Sequence, residues 1–137
     1  MTEPSEATVL IVEDDENNQL VLRKLLQLAG IKPDNMAAID SHVIPYLENN
    51  YPHGVDLILL DLQLPGKDGY AILKELRAHA AYKDTTVAAV TANVMRHDIE
   101  AVHQAGFDGF IGKPIDARRL PEWIHKLLRG ESVWTAQ

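Results

Sequence analysis

Residues 57–61 have the sequence LILLD, in which four consecutive apolar side chains are followed by an aspartate. A run that is apolar at every position is typical of a strand buried on both faces of its sheet. The runs VLIV at residues 9–12 and VAAV at residues 87–90 have the same character. The three runs predict the central strands of a parallel sheet covered by helices on both sides.

The segments outside these runs have patterns typical of helices and of two less clearly marked strands. The apolar residues Leu22, Leu25, Leu26 and Ala29 recur with helical spacing, and Gly30 is suited to end that helix. Two further strands are predicted at residues 36–39 and 110–112, and further helices at about 42–50, 69–79, 94–105 and 120–128. Strands and helices therefore alternate five times. This order predicts an α/β domain of three layers, a doubly wound sandwich around a parallel five-stranded sheet.

The composition narrows the classes of function. The chain of 137 residues carries a net charge of −7 and contains no cysteine. The negative charge argues against a broad nucleic-acid surface, and no apolar run is long enough for membrane insertion. The absence of cysteine excludes disulfides and thiolate metal sites and is consistent with a cytoplasmic protein. We expect one domain at residues 8–130, flanked by tails without regular structure at 1–7 and 131–137.

Charged and hydroxyl side chains follow four of the five predicted strands, which is where doubly wound sheets bind ligands. Glu13 and Asp14 follow the first strand, Asp61 the third, Thr91 ends the fourth, and Lys113 follows the fifth. If the first and third strands are neighbours, three carboxylates meet, and their repulsion needs a compensating cation. Carboxylate and carbonyl oxygens suit Mg²⁺, and the ammonium group of the lysine adds a second compensating charge.

Each of these residues also has an ordinary structural explanation. Acids between a strand and a helix often cap the helix, as we expect for Asp15, and Asp61 precedes a predicted turn at Leu64, Pro65 and Gly66. The occurrence of all of them at one edge of the sheet, in chain order, favours a functional site.

Four segments resemble the characteristic blocks of bacterial response-regulator receiver domains, including single-domain regulators of the chemotaxis type. They are IVEDDENN at 11–18, LILLDLQLPGKDGY at 57–70, VAAVTAN at 87–93 and AGFDGFIGKPI at 105–115. The resemblance extends over about residues 8–129. It implies a flavodoxin-like sheet with strand order 2-1-3-4-5, and a cis peptide bond before Pro114.

The resemblance also implies roles for the strand-end residues. Asp61 would be the nucleophile that takes a phosphoryl group from a phosphohistidine. Asp14 would bind Mg²⁺ directly, Glu13 would act through a metal-bound water, and the backbone carbonyl of Gln63 would complete the protein ligands. Lys113 would pair with a phosphoryl oxygen.

The same resemblance implies a switch and a set of partners. Thr91 would donate its hydroxyl to the phosphoryl group, and Phe110 on the fifth strand would turn to follow it, although core packing is an alternative role for Phe110. The phosphoryl donor would be a sensor histidine kinase or a histidine phosphotransfer protein, and the signal would pass to a downstream protein target. The chain would act as a stand-alone receiver, a monomer or a phosphorylation-dependent dimer, and not as an enzyme on other substrates.

Three other classes of function have sequence requirements that can be compared with this chain. A Mg²⁺-dependent phosphatase that works through an aspartyl phosphate usually has a second acid two residues after the nucleophile, where this chain has Gln63. A flavin-binding module on the same sheet needs a phosphate loop after the first strand, where this chain has four acids. A pseudo-receiver that works without phosphorylation usually lacks part of the acidic cluster or the lysine, and both are present here.

Overall fold

The computed structural model describes residues 2–66 and 68–135. Strands and helices alternate along the chain, with a short 3₁₀ turn at Pro33–Asn35. The strands are β1 (Val9–Val12), β2 (Met36–Ile39), β3 (Leu57–Asp61), β4 (Thr86–Thr91), β5 (Gly109–Gly112) and β6 (Val133–Thr135). The helices are α1 (Glu16–Leu28), α2 (Val43–Asn50), α3 (Gly69–Ala78), α4 (Arg96–Ala105) and α5 (Leu120–Leu128).

The strands form one parallel sheet in the order β2-β1-β3-β4-β5-β6. The predicted order of the first five strands is confirmed, and so is the weakly patterned strand at residues 36–39. In β3 all five residues are buried, as the continuous apolar run predicts. The reversal of strand order at β1 and β3 places the carboxyl ends of these two neighbours side by side.

Helices cover both faces of the sheet and make two separate cores. Alternate residues of each strand point to opposite faces, so Leu59 belongs to the core under α1 and α5, while Ile58 belongs to the core under α2, α3 and α4. Leu26 of α1 and Leu76 of α3 are fully buried on opposite sides. The three-layer, doubly wound architecture is therefore confirmed.

Local capping agrees with the sequence patterns. The carboxylate of Asp15 accepts a hydrogen bond from the Asn18 N–H (3.0 Å), which caps α1, and Gly30 follows the helix with a φ of 101°. A turn precedes α5, in which the Asp116 carboxylate accepts a hydrogen bond from the Arg118 N–H (3.0 Å). The Lys113–Pro114 peptide bond is cis, as the resemblance implies.

The prediction that residues 131–137 lack regular structure is wrong for residues 133–135. These residues form β6, which pairs in parallel with β5, with Trp134 opposite Phe110. The segment is too short to show a period of two, and its pairing depends on the β5 edge, 23 or more residues away in sequence. Residues 136 and 137 lie outside the described residues, and the domain limits at residues 8 and 130 stay a prediction.

The N-terminal segment lies against the domain in the part of it that is described. Ala7 is buried, and the Thr2 hydroxyl donates to the Asp56 carboxylate (3.2 Å). Met1 lies outside the described residues. None of the helices in residues 2–66 and 68–135 is long and apolar enough to cross a membrane.

Candidate functional site

The carboxyl ends of β1 and β3 bring together residues that are far apart in sequence. Val12 lies opposite Leu60 in the parallel register. Glu13 and Asp61, which follow these two residues in the chain, are therefore neighbours. Carboxylate oxygens of Glu13, Asp14 and Asp61 all lie within 4.8 Å of one another. The acidic cluster predicted from the strand ends is therefore present in the fold.

The three acids differ in exposure. Glu13 is 2% exposed and Asp61 is 3% exposed, whereas Asp14 is exposed to solvent. Buried carboxylates at this spacing repel each other and lose hydration, so they need compensating positive charge. The exposed carboxylate leaves the cluster accessible from the solvent side.

Lys113 supplies one compensating charge from the end of β5. Its ammonium nitrogen Nζ donates to Glu13 Oε1 (2.9 Å) and to Asp61 Oδ2 (3.3 Å). Burial disfavours the charged ammonium, but the hydrogen bond to Glu13 and the charges of Asp61 and Glu13 outweigh this effect and raise the pKa of Lys113 above its ordinary value. Lys113 is therefore charged at neutral pH and bridges the two buried acids.

Backbone and side-chain donors orient the two buried carboxylates. The Gln63 N–H donates to Asp61 Oδ1 (2.9 Å), and the Asp15 N–H donates to Glu13 Oε2 (3.1 Å). The Gln19 side-chain amide donates to the backbone carbonyl of Glu13 (2.6 Å). Gln19 is not among the predicted site residues; its position one helical turn into α1, after the acids, is the signal that could have found it.

Thr91 ends β4, and Phe110 lies on the neighbouring β5, opposite Ala89. Thr91 is buried, and its Oγ1 accepts a hydrogen bond from the Asn93 N–H (3.1 Å). Phe110 is fully buried and packs in the core under α2, α3 and α4. Its backbone carbonyl accepts a hydrogen bond from the Thr135 hydroxyl of β6 (3.1 Å).

The donor set matches the chemistry of a hard divalent cation. All three clustered groups offer carboxylate oxygen, with no sulfur or imidazole among them, and this composition favours Mg²⁺ over softer metals. After the lysine is counted, the four side chains carry two excess negative charges, three acids against one ammonium, which a divalent cation would balance. The acidic cluster therefore fits a Mg²⁺ site.

Comparisons with known proteins agree with this geometry. The family model for the response regulator receiver domain matches residues 9–125. The polar-differentiation response regulator DivK of Brucella ovis is 34% identical over 121 residues, which cover 88% of this chain and 95% of DivK.

Solved structures give the same result. The receiver domain of the sensor histidine kinase PA1611 from Pseudomonas aeruginosa, with a magnesium ion in its active-site cleft, is 27% identical with a TM-score of 0.74, over 90% of this chain and 98% of that one. The receiver domain of a signal transduction histidine kinase from Syntrophus aciditrophicus is 25% identical with a TM-score of 0.76, over 90% and 91%. Sequence, fold and strand-end site agree, and the chain belongs to the response regulator receiver domain family.

Proposed function

We propose that Asp61 accepts a phosphoryl group from a phosphohistidine of a partner protein, in a reaction that requires Mg²⁺. The observation that carries the proposal is the position of the Asp61 carboxylate. It lies within 4.8 Å of the oxygens of Glu13 and Asp14, and Lys113 and the Gln63 N–H orient it. A carboxylate held in this way is prepared to act as a nucleophile.

The transfer is a displacement at phosphorus. An oxygen of Asp61 forms a new bond to the phosphorus atom while the bond from phosphorus to the donor imidazole nitrogen breaks, and the imidazole leaves with its electron pair and takes a proton. The product is an aspartyl phosphate. Such a reaction depends mainly on positioning and on neutralising the phosphoryl oxygens. Lys113 would pair with one of these oxygens, and the Thr91 hydroxyl would donate to another.

Glu13, Asp14 and Asp61 would hold the Mg²⁺, with the backbone carbonyl of Gln63 as a further ligand. When bound, the cation neutralises charge that develops on the phosphoryl group. The magnesium ion in the active-site cleft of the related PA1611 receiver supports this assignment. The cluster chemistry of the present chain supports it independently, because every clustered ligand is an oxygen donor.

Phosphorylation would change the contacts that the chain makes with other proteins. Thr91 and Phe110 are the proposed switch residues, since both are buried on the neighbouring strands β4 and β5, and Thr91 ends its strand at the edge that carries the site. The proposed donors are a sensor histidine kinase or a histidine phosphotransfer protein, and the output is a downstream protein target. We expect no catalysis beyond the phosphorylation and dephosphorylation of the chain itself.

The proposal is tested by intact mass after incubation with acetyl phosphate or phosphoramidate. With Mg²⁺ present, the wild-type protein is expected to gain one phosphoryl group, and without Mg²⁺ the gain is expected to disappear. Asp61→Asn keeps the size of the side chain but removes the nucleophilic carboxylate, so this variant is expected to gain nothing while its circular dichroism spectrum stays native.

Other results would change the interpretation. A phosphoryl gain by Asp61→Asn equal to that of the wild type would place the acceptor elsewhere. If the wild type gained nothing from either donor, the proposal would be contradicted. If titration also showed no Mg²⁺ binding, a pseudo-receiver that works without phosphorylation would become the better explanation.

A further inference from the structure

The strand β6 joins the C-terminal end of the described chain to the edge of β5. Val133 is buried in the core under α1 and α5, while Trp134 packs on the opposite core, where its ring lies 4.8 Å from that of His103 in α4. Thr135 is held through its hydroxyl, which donates to the Phe110 carbonyl (3.1 Å) and accepts from the Gly112 N–H (3.2 Å). β6 therefore contacts β5, α4 and both cores.

The residues of β5 leave room for this strand. A Cβ atom at Gly109 would lie 2.9 Å from the backbone oxygen of Val133, closer than real Cβ atoms come. Glycine at the first position of β5 thus allows the backbone of β6 to approach. The close fit indicates that β6 is an integral strand of the sheet.

The two attachments of β6 are connected along the chain to residues of the proposed site. Gly112, which donates to Thr135, is followed by Lys113, whose ammonium contacts Asp61. The helix that carries His103 follows Thr91, which lies at the end of β4. A movement of Lys113 and Thr91 toward a phosphoryl group on Asp61 would therefore affect two contacts of β6. One is the hydrogen bond between Gly112 and Thr135, and the other is the contact between the rings of His103 and Trp134.

β6 is also weakly held compared with the inner strands. It has three residues, Trp134 and Thr135 are only partly buried, and within the described chain no strand pairs with its outer edge. The helix α4, which contacts β6 through His103, is itself loosely packed, because Val102 is the only buried residue among its ten described residues. Segments with few buried contacts open at low cost in free energy.

We propose that β6 is a detachable cover on the edge of β5 that is released when Asp61 is phosphorylated. The proposal rests on the function proposed above. Movement of Lys113 toward the phosphoryl group shifts Gly112 and weakens its hydrogen bond to Thr135. Movement of Thr91 shifts α4 and withdraws His103 from Trp134. Release uncovers the edge of β5 and exposes Trp134 to solvent.

The experiment uses Trp134 as a fluorescent reporter. The chain has two tryptophans, so Trp123→Phe leaves Trp134 as the only one. Acrylamide quenching is measured before and after incubation with acetyl phosphate or phosphoramidate and Mg²⁺, and the mass of the same sample is recorded. Phosphorylation is expected to raise the quenching constant about two-fold, as the population of the open form increases. Asp61→Asn in the same background is expected to show no rise.

Hydrogen exchange on the unsubstituted chain provides a second measurement that needs no tryptophan variant. Peptides that cover residues 130–135 are expected to exchange faster after phosphorylation, and those of β1 are expected to stay unchanged. A phosphoryl gain with unchanged or slower exchange and quenching would overturn the release of β6 and leave Asp61 as the acceptor. No phosphoryl gain from either donor would overturn both proposals.

Discussion

At the scale of single residues, the clustered carboxylates of the site repel one another, and a bound cation would reduce this repulsion. Glu13 and Asp61 are buried and share the ammonium group of Lys113, while the exposed Asp14 adds a third negative charge within 4.8 Å. Such an arrangement lowers the stability of the metal-free protein and raises its affinity for a cation. Stability and binding thus have opposite requirements at this position.

Asp14→Asn separates these two requirements. Removing one negative charge is expected to raise the free energy of unfolding of the metal-free protein by about 0.3–1 kcal/mol, a modest value because Asp14 is exposed. The same change is expected to weaken Mg²⁺ binding. Urea unfolding with and without Mg²⁺ measures both effects. Glu6→Gln, at an exposed acid outside the cluster, should alter neither, and a loss of metal-free stability in Asp14→Asn would contradict the prediction.

At the scale of elements, the helices differ in how their first turns are capped. The carboxylates of Asp15 and Asp68 cap α1 and α3, accepting from the N–H groups of Asn18 (3.0 Å) and Ala71 (2.8 Å). At the start of α4 the N-cap is Met95, and the Asp98 carboxylate accepts from its backbone N–H (3.2 Å). The helix that follows Thr91, the proposed switch residue, therefore lacks an oxygen acceptor in the side chain of its N-cap.

Met95→Ser supplies that acceptor. Met95 already has an extended backbone, with φ −71° and ψ 156°, and is followed three residues later by Asp98, so a serine hydroxyl can accept from the Asp98 N–H. We expect the free energy of unfolding to rise by about 0.5–1 kcal/mol, with slower hydrogen exchange at the start of α4. Asp68→Ala is the matched control of opposite sign, since it removes an existing cap. Unchanged exchange in α4 would refute the prediction.

At the scale of the whole molecule, the sheet separates two cores that share strands but few side chains. Leu26 and Leu76 are both fully buried, one on each side. Each Leu→Ala change is expected to cost about 2–5 kcal/mol, because it removes buried methyl groups and leaves a cavity. Leu28→Ala, at a residue 74% exposed, should cost much less.

The two cores are expected to respond independently. In the double variant of Leu26 and Leu76 the losses should add to within about 0.5 kcal/mol, because the two side chains belong to separate cores on opposite faces of the sheet. Denaturant unfolding of the two single variants and the double variant gives the comparison. A coupling well above this limit would show that the sheet transmits packing changes from one face to the other.

The sequence by itself determined the central strands, the first and last helices and the edge that carries the site. Strands such as β3 are buried on both faces, so their apolar runs are visible without tertiary information. The acids and the lysine lie immediately after their strands, and parallel strands end at one edge, so their proximity follows from the order of elements. The five-strand order and the cis bond before Pro114 came from the resemblance and not from periodicity.

Only the tertiary structure decided the rest. The pairing of Lys113 with Glu13, 100 residues apart, and the burial of Glu13 depend on the packing of elements that are distant in sequence. β6 was missed because three residues show no period. Its strand conformation comes from pairing with the edge of β5 and from the space left by Gly109. The conformation of a short strand depends on the strand with which it pairs, and the local sequence pattern does not predict that pairing.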